Sequence, residues 1–227
     1  MLILVPKTTN RLHYIFDLII KELLGISYKF TTDNETFTSY NGPKFHYGNS
    51  QFWNEPFQKS TDILFQHDIA EKDIKIIDYK DVRAIFPVYN EKSIFPFDIF
   101  AASFYIVTRY EEYLPHINDK FDRFQAKDSI LVKMNMLEKP LVNIWAMELG
   151  KILTTAYPEL KLKKRTFTFV PTYDVDAAWA YKNKGIFRTT AAYARNISIG
   201  QRFVNGINAG IGNVRDNSHV AVRLNMD

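Results

Sequence analysis

The chain contains no cysteine among its 227 residues. This absence excludes disulfide bonds, zinc sites built on thiolates and a thiol nucleophile. Long apolar runs are also missing, since no stretch approaches the ~20 apolar residues that a membrane-spanning helix requires. The first residues, MLILVPK, are too short for the apolar core of a signal peptide. From these absences we expect a soluble, cytoplasmic protein without a membrane span.

The composition is that of a globular protein with a substantial core. Hydrophobic residues make up 46% of the chain, aromatic residues 15% and charged residues 24%. The net charge of +4 is only mildly basic. The basic run Lys161–Arg165 (KLKKR) lacks the interleaved aromatic side chains of a nucleic-acid patch, so we interpret it as a solvated domain boundary. We therefore expect no nucleic-acid partner.

Hydrophobic periodicity predicts an α/β domain over residues 1–160 with about three main helices. Leu2–Val5 has the pattern of a buried strand, and a helix follows from the capping oxygens at residues 8–10 as far as Gly25. The second predicted helix spans residues 97–113, with Pro96 in its first turn. The third spans residues 140–157.

The remaining segments predict a mixed sheet. Residues 27–47 alternate between short apolar runs and turn residues, which favours a β-meander or a hairpin pair. Further short strands are predicted at residues 62–65, 74–77 and 84–87. The segment RYEEY (109–113) places glutamates at a helix end, where the helix dipole is unfavourable to them, so we expect partners such as Arg109 or Arg123.

Residues 48–60 form a polar loop that contains several aromatic side chains. Phe52, Trp53 and Phe57 could stack on the C–H face of a sugar ring, or they could anchor the loop by burial. His13 and His46 are interpreted as structural residues rather than ligands.

The segment Thr166–Trp179 (TFTFVPTYDVDAAW) carries the strongest chemical signal. An alternating apolar run reaches a proline and ends in Asp174 and Asp176, and the carboxyl ends of strands are where α/β folds bind ligands and metals. The two carboxylates could provide a general base and a metal ligand for hydrolysis. They could also hold the metal of a nucleotide-sugar in a glycosyltransferase, or cap a turn. An aspartyl-phosphate enzyme is disfavoured because Ala178 stands where such motifs carry Thr or Val.

Together with the strand before it, Thr172–Asp176 (TYDVD) resembles the first motif of the polysaccharide deacetylases (NodB-like, carbohydrate esterase family 4). The stretches FDIFAASFYIVTRYEEYLPH and VNIWAMEL resemble the α/β domain that precedes the barrel in a bacterial subgroup. The resemblance implies the start of a (β/α) deacetylase barrel over residues 161–227. It implies that Asp174 is the catalytic base and Asp176 a ligand of a divalent metal, commonly zinc, and that an acetylated sugar or glycan is the substrate. The family pattern has two adjacent aspartates, whereas here Val175 separates them.

The histidine pair of the family's second motif has no counterpart in this chain. None of the five histidines lies within five residues of another, and His219 has no partner after it. Because a zinc site normally takes three protein ligands, we expect this chain to bind no metal tightly and to be inactive by itself. The Gly- and Asn-rich segment from residue 200 onward is not typical of a barrel, which favours a truncated barrel. The alternatives are a non-catalytic module that binds glycan or packs on a barrel, and a glycosyltransferase that uses Asp174 and Asp176.

The deacetylase interpretation predicts a His-x-x-x-His-like pair encoded some tens of residues beyond Asp176 in a longer gene product. Sequencing the gene past codon 227 checks this prediction. The absence of such a pair in every reading frame would remove the interpretation.

Overall fold

The computed structural model describes residues 1–164, 166 and 168–170. Residues Met1–Lys163 form one compact unit, to which all the elements named here belong. This part of the chain combines a four-stranded sheet, a two-stranded ribbon and five α-helices. The predicted α/β class is therefore confirmed. The barrel predicted for residues 161–227 falls almost entirely outside the described residues.

All neighbouring strands of the four-stranded sheet run parallel, in the order β2-β1-β3-β4. Within the described residues, antiparallel strand pairing is confined to a separate ribbon, β5–β6. The prediction of one mixed sheet is therefore wrong, because the two kinds of pairing occur in different sheets. The strands are β1 (Leu2–Leu4), β2 (Lys29–Thr31), β3 (Lys44–Gly48), β4 (Phe57–Lys59), β5 (Ile76–Tyr79) and β6 (Val82–Ile85).

The two faces of the parallel sheet are covered unequally. Successive side chains of a strand point to opposite faces. Ile3 and Phe45 point to the main core, which is built with the helices of the domain. Leu2 and Leu4 point to the other face, where they form a small separate cluster with Phe37. One face is therefore thickly packed and the other has only a thin cover.

The first predicted helix is confirmed in position, but it is not α-helical throughout. Helix α1 (Asn10–Phe16) begins after Thr9, whose side chain accepts a hydrogen bond from the Leu12 N–H. The chain continues as a π-helix over Asp17–Leu23. Gly25 ends this helix with φ at +73°, a conformation that disfavours any residue with a side chain.

The hairpin or meander predicted for residues 27–47 is wrong. A short helix, α2 (Asn34–Ser39), lies between the parallel strands β2 and β3. Asp33 caps this helix by accepting a hydrogen bond from the Thr36 N–H at 2.7 Å. Aspartate favours both turns and helix N-caps, and a six-residue helix is too short to show a period. The residues that predicted a turn in this segment therefore mark the start of helix α2.

The predicted strand at residues 62–65 is also wrong, because Ile63–Phe65 forms a 3₁₀-helix. Ile63 and Leu64 are both buried within this short helix. The strands predicted at 74–77 and 84–87 correspond to β5 and β6, each displaced by two residues towards the turn that joins them.

Helix α3 (Ile99–Val107) is shorter than the helix predicted over residues 97–113. Arg109 adopts a left-handed conformation with φ at 52°, which ends the α-helix, and Tyr110–Tyr113 follows as a 3₁₀-helix. The predicted partner Arg109 is correct, since it forms an ion pair with Glu112. The predicted partner Arg123 is wrong, because it pairs with Asp119, and Glu111 instead accepts hydrogen bonds from Ser129 and Ile130.

The last long helix, α5 (Leu141–Ala156), matches the prediction for residues 140–157 to within one residue at each end. Leu141, Trp145 and Leu149 are buried along one side, as their helical spacing predicts. A single turn, α4 (Ile130–Lys133), and a 3₁₀-helix at Ala126–Asp128 precede it.

The carboxylate of Asp98 joins the sheet to the helical layer. It is fully buried and caps α3 by accepting hydrogen bonds from the N–H groups of Phe100 and Ala101. Its other oxygen accepts from the hydroxyl of Tyr47 in β3 at 2.8 Å, and from the N–H and hydroxyl of Thr61 at 2.6 and 2.9 Å. Burial raises the pKa of both Asp98 and Tyr47. One side chain thus satisfies buried donors from three segments.

Replacing Asp98 with alanine is expected to lower the free energy of unfolding by about 3 kcal/mol or more, because several buried donors would lose their acceptor. Urea denaturation followed by circular dichroism measures the loss. Asp33→Ala is the matched control, since Asp33 caps α2 at the exposed surface. Equal losses in the two variants would contradict the central role of Asp98.

Candidate functional site

A groove lies at the amino end of β3, on the thinly covered face of the domain. Its walls come from α2, from the loop between β3 and β4, and from the end of α5. Its volume is about 540 Å³, within the range of roughly 300–1,000 Å³ that small-molecule sites occupy. We call it the aromatic groove. It is lined by Phe37, Thr38, Tyr40, Asn41, Gly42, Lys44, Trp53, Asn54, Glu55, Pro56, Ala156 and Tyr157.

Aromatic side chains line the groove from three separate segments. Tyr40 and Trp53 are each 39% exposed, so both offer open ring surface. Beneath them Phe37 is buried, with its ring centre 5.8 Å from that of Trp53. Burial raises the pKa of Tyr157, which keeps its hydroxyl protonated and able to donate. The result is an aromatic surface with polar groups at its edges.

The loop between β3 and β4 is fixed by its own side chains. Phe52 stacks on the ring of His46 with the ring centres 5.2 Å apart, and Trp53 contacts Phe52 in turn. The side-chain amide of Gln51 donates a hydrogen bond to the backbone carbonyl of Glu55 at 2.9 Å. Because β3 and β4 are parallel, this loop must return along one face of the sheet, which places Trp53 beside α2.

A buried histidine and glutamate lie behind the groove wall. His46 Nδ1 is 3.7 Å from Glu55 Oε1, too far for a hydrogen bond, and the two side chains are only 3% and 5% exposed. Among the described residues, neither of these two atoms has a hydrogen-bond partner. Burial lowers the pKa of His46 to about 4, so the imidazole is neutral near pH 7. Among the described residues, Glu55 therefore has no positively charged partner within ion-pair distance near pH 7.

A second and larger depression lies beside the loop that follows α3. It is about 900 Å³ in volume, and Arg109, Glu112, Asp119 and Arg123 are among its lining residues. Arg109 forms an ion pair with Glu112, and Arg123 with Asp119, so these four charges are already compensated. The aromatic groove, by contrast, contains a buried polar atom without a partner. We therefore take the groove, not the larger depression, as the candidate site.

Asp174, Asp176 and His219 lie outside the described residues. Of the aromatic residues considered for sugar stacking, Trp53 lines the groove, Phe52 is 57% exposed above His46, and Phe57 is buried. Of the two histidines interpreted as structural, His13 is exposed with its ring edge-on to Phe30, and His46 is buried.

Sequence reasoning missed Glu55, Tyr40 and Tyr157. Glu55 lies close to His46 only because β4 pairs in parallel with β3, and no pattern in the local sequence predicts that pairing. Tyr40 and Tyr157 each follow the last residue of a helix, and this position could have drawn attention to them.

Within residues 1–164 and the few described after them, no three His, Asp or Glu side chains converge as a metal site. In the same part of the chain, no helix is long and apolar enough to cross a membrane.

The described residues define a small parallel α/β domain with an aromatic groove on one face. The chain belongs to a family of unknown function (DUF7033), which matches residues 1–158. No curated protein and no solved structure matches the chain significantly. The family match covers every residue of the groove.

The fold is expected to lose stability as the pH falls from about 6.5 to about 4, because the unfolded chain protonates His46 in this range and the folded chain does not. The contribution of His46 is up to about 3 kcal/mol. The His46→Phe variant keeps a ring against Phe52 but cannot titrate, so its stability should fall less over this range. Urea denaturation at a series of pH values measures the difference.

His13→Phe is the control for this measurement, since His13 is exposed. An acid-induced loss in His46→Phe as large as in the unchanged protein would show that His46 is not the group responsible.

Proposed function

We propose that this domain binds a glycan in the aromatic groove. The observation that carries the proposal is the pair of open aromatic rings, Tyr40 and Trp53, beside the exposed polar side chains of Asn41 and Asn54. Sugar rings present apolar C–H faces to aromatic planes and hydroxyl groups to amide and carboxylate oxygens. A groove that offers both kinds of surface together suits a sugar better than a purely apolar ligand.

The arrangement of the groove supports binding without a large rearrangement. Trp53 is held by its contacts with Phe37 and Phe52, and Lys44 is held by a hydrogen bond from its ammonium to the Thr38 carbonyl at 2.9 Å. Side chains that are already ordered lose little conformational entropy when a ligand binds.

We further propose that the protein acts as a polysaccharide deacetylase in a longer form, with the domain positioning the acetylated glycan. The support for this is the resemblance of Thr172–Asp176 to the first motif of that family. In this proposal Asp174 is the catalytic base and Asp176 binds a divalent metal, commonly zinc. The metal would polarise the acetyl carbonyl and acidify a water molecule. The proposal includes a cytoplasmic location.

Trp53→Ala is expected to weaken binding of a glycan at least roughly tenfold, since it removes a ring that stacks on the sugar. Isothermal titration of the 227-residue chain with oligomers of glucose, glucosamine and N-acetylglucosamine measures the affinity. Tyr89→Ala is the matched control, because Tyr89 is 89% exposed and lies outside the groove.

Failure of every sugar to bind, or equal losses in the two variants, would contradict glycan binding at the groove.

A separate titration with a nucleotide-sugar and Mn²⁺ tests the glycosyltransferase alternative. Binding that disappears in Asp174→Asn would favour the glycosyltransferase alternative over the deacetylase.

A further inference from the structure

We propose that the aromatic groove selects acidic sugars, with the carboxylate of a uronic acid unit paired to the ammonium of Lys44. This inference rests on the proposed glycan binding and deepens it to a class of sugar. A glycan that contains uronic acids can also carry acetyl groups, so this class agrees with the acetylated substrate proposed above. The observation behind the inference is a positively charged side chain that is fixed beside the stacking rings.

Lys44 supplies the open charge of the groove. Of the described residues that line the groove, Lys44 and Glu55 carry a charged side chain. The Glu55 side chain is only 5% exposed and its Oε1 lies 3.7 Å from His46 Nδ1, so this carboxylate is enclosed in the domain. The hydrogen bond from Lys44 to Thr38, in contrast, lies at the exposed surface. Within the described residues no carboxylate forms an ion pair with the Lys44 ammonium.

The side chain of Lys44 is held at both of its ends. Its backbone belongs to β3, where it pairs with Leu2 of β1. Its ammonium donates a hydrogen bond to the Thr38 carbonyl at 2.9 Å and lies 5.5 Å from the ring centre of Phe37. An ammonium carries three N–H donors, so donors remain for a ligand. Because the fold has already ordered this long side chain, a ligand that binds it loses little of the rotamer entropy of a free lysine.

The ammonium and the stacking rings lie around the same buried side chain. The ring centre of Trp53 is 5.8 Å from that of Phe37, on which Lys44 also rests. Tyr40 lines the same groove, and its ring packs on Gly42, where an added Cβ would come within 2.6 Å of the Tyr40 hydroxyl oxygen. A uronic acid has an apolar C–H face and a carboxylate at the edge of its ring. A short acidic glycan can therefore stack on Trp53 and reach Lys44.

The single lysine suits a carboxylate better than a phosphate. Lysine acts as a compact point charge, which matches the single negative charge of a carboxylate. Phosphate sites commonly use the fork of an arginine or the N–H groups at the amino end of a helix. No arginine is among the described residues that line the groove, and α2 borders it with its carboxyl end. A sugar amine would be repelled by Lys44.

The test is isothermal titration of the unchanged chain with two oligomers at pH 6 and low ionic strength. One oligomer alternates N-acetylglucosamine and glucuronate, and the other is the same oligomer with its carboxylates reduced to alcohols. We expect the acidic oligomer to bind at least roughly tenfold more tightly, and the difference to shrink as salt is added, because salt screens the charge pair. A glucosamine oligomer of equal length, which is positively charged, should bind no more tightly than the reduced oligomer.

Three variants assign the preference to Lys44. Lys44→Met keeps an apolar stem without the charge, so the preference should fall to within about twofold while Trp53-dependent binding of the reduced oligomer persists. Lys44→Arg keeps the charge and should keep a preference above roughly fivefold. Lys29→Met is the matched control, because Lys29 is exposed, pairs with Leu2 from the other side of β1 and lies outside the groove.

Equal affinity of the unchanged chain for the acidic and reduced oligomers would overturn the inference and leave glycan binding intact. A preference that survives in Lys44→Met, or that falls as far in Lys29→Met, would also overturn it. So would a loss of the preference in Lys44→Arg while the reduced oligomer still binds. If neither oligomer binds, both proposals fail.

An oligomer that carries phosphate monoesters in place of the carboxylates separates the two kinds of anion. Tighter binding of this oligomer than of the glucuronate oligomer, lost in Lys44→Met, would overturn the assignment to uronic acids. Equal or weaker binding supports it.

Discussion

The buried carboxylate of Asp98 is the interaction on which the rest of the domain depends. Three segments that are distant in sequence meet at it: the sheet through Tyr47, the chain after β4 through Thr61, and the amino end of α3. A buried carboxylate is tolerable only when donors surround it, and the buried donors of Tyr47, Phe100 and Ala101 need an acceptor equally. The contact therefore sets the position of α3 against the sheet and, with it, the thickly packed face.

The candidate site lies on the opposite, thinly covered face of the sheet. Helices α1, α3 and α5 supply the main core on one side of the sheet, whereas on the other side Phe37 of α2 packs on Leu2 and Leu4. The aromatic groove lies on this thinly covered side, between α2, the loop between β3 and β4 and the end of α5. Asp98 and Glu55 illustrate the difference. Both are buried carboxylates, but both oxygens of Asp98 accept hydrogen bonds in the fold, while one oxygen of Glu55 has no partner in the part of the chain that the structure describes.

Parts of the candidate site could be predicted from the sequence. An aromatic residue in a polar loop with no periodic neighbours, such as Trp53, is a reasonable candidate for an exposed ring. The groove itself could not be predicted, because its walls come from residues near positions 40, 55 and 157, which only the packing of α2 and α5 brings together. The proximity of His46 and Glu55 could not be predicted either, since it depends on the parallel register of β3 and β4. Asp174 and Asp176 remain predictions of the sequence.

By itself the sequence determined the helices that carry a long apolar stripe and, for the first of them, the residues at which it begins and ends. The Thr9 cap, the left-handed Gly25 and the buried side of α5 follow from contacts between residues a few positions apart, which any local stretch already contains. Only the tertiary structure decided the direction of strand pairing, the helix α2 in place of a hairpin, and the uncompensated carboxylate of Glu55. Strand partners and buried charges depend on residues that lie far apart in the chain, and their free energy exists only once the core has brought them into contact.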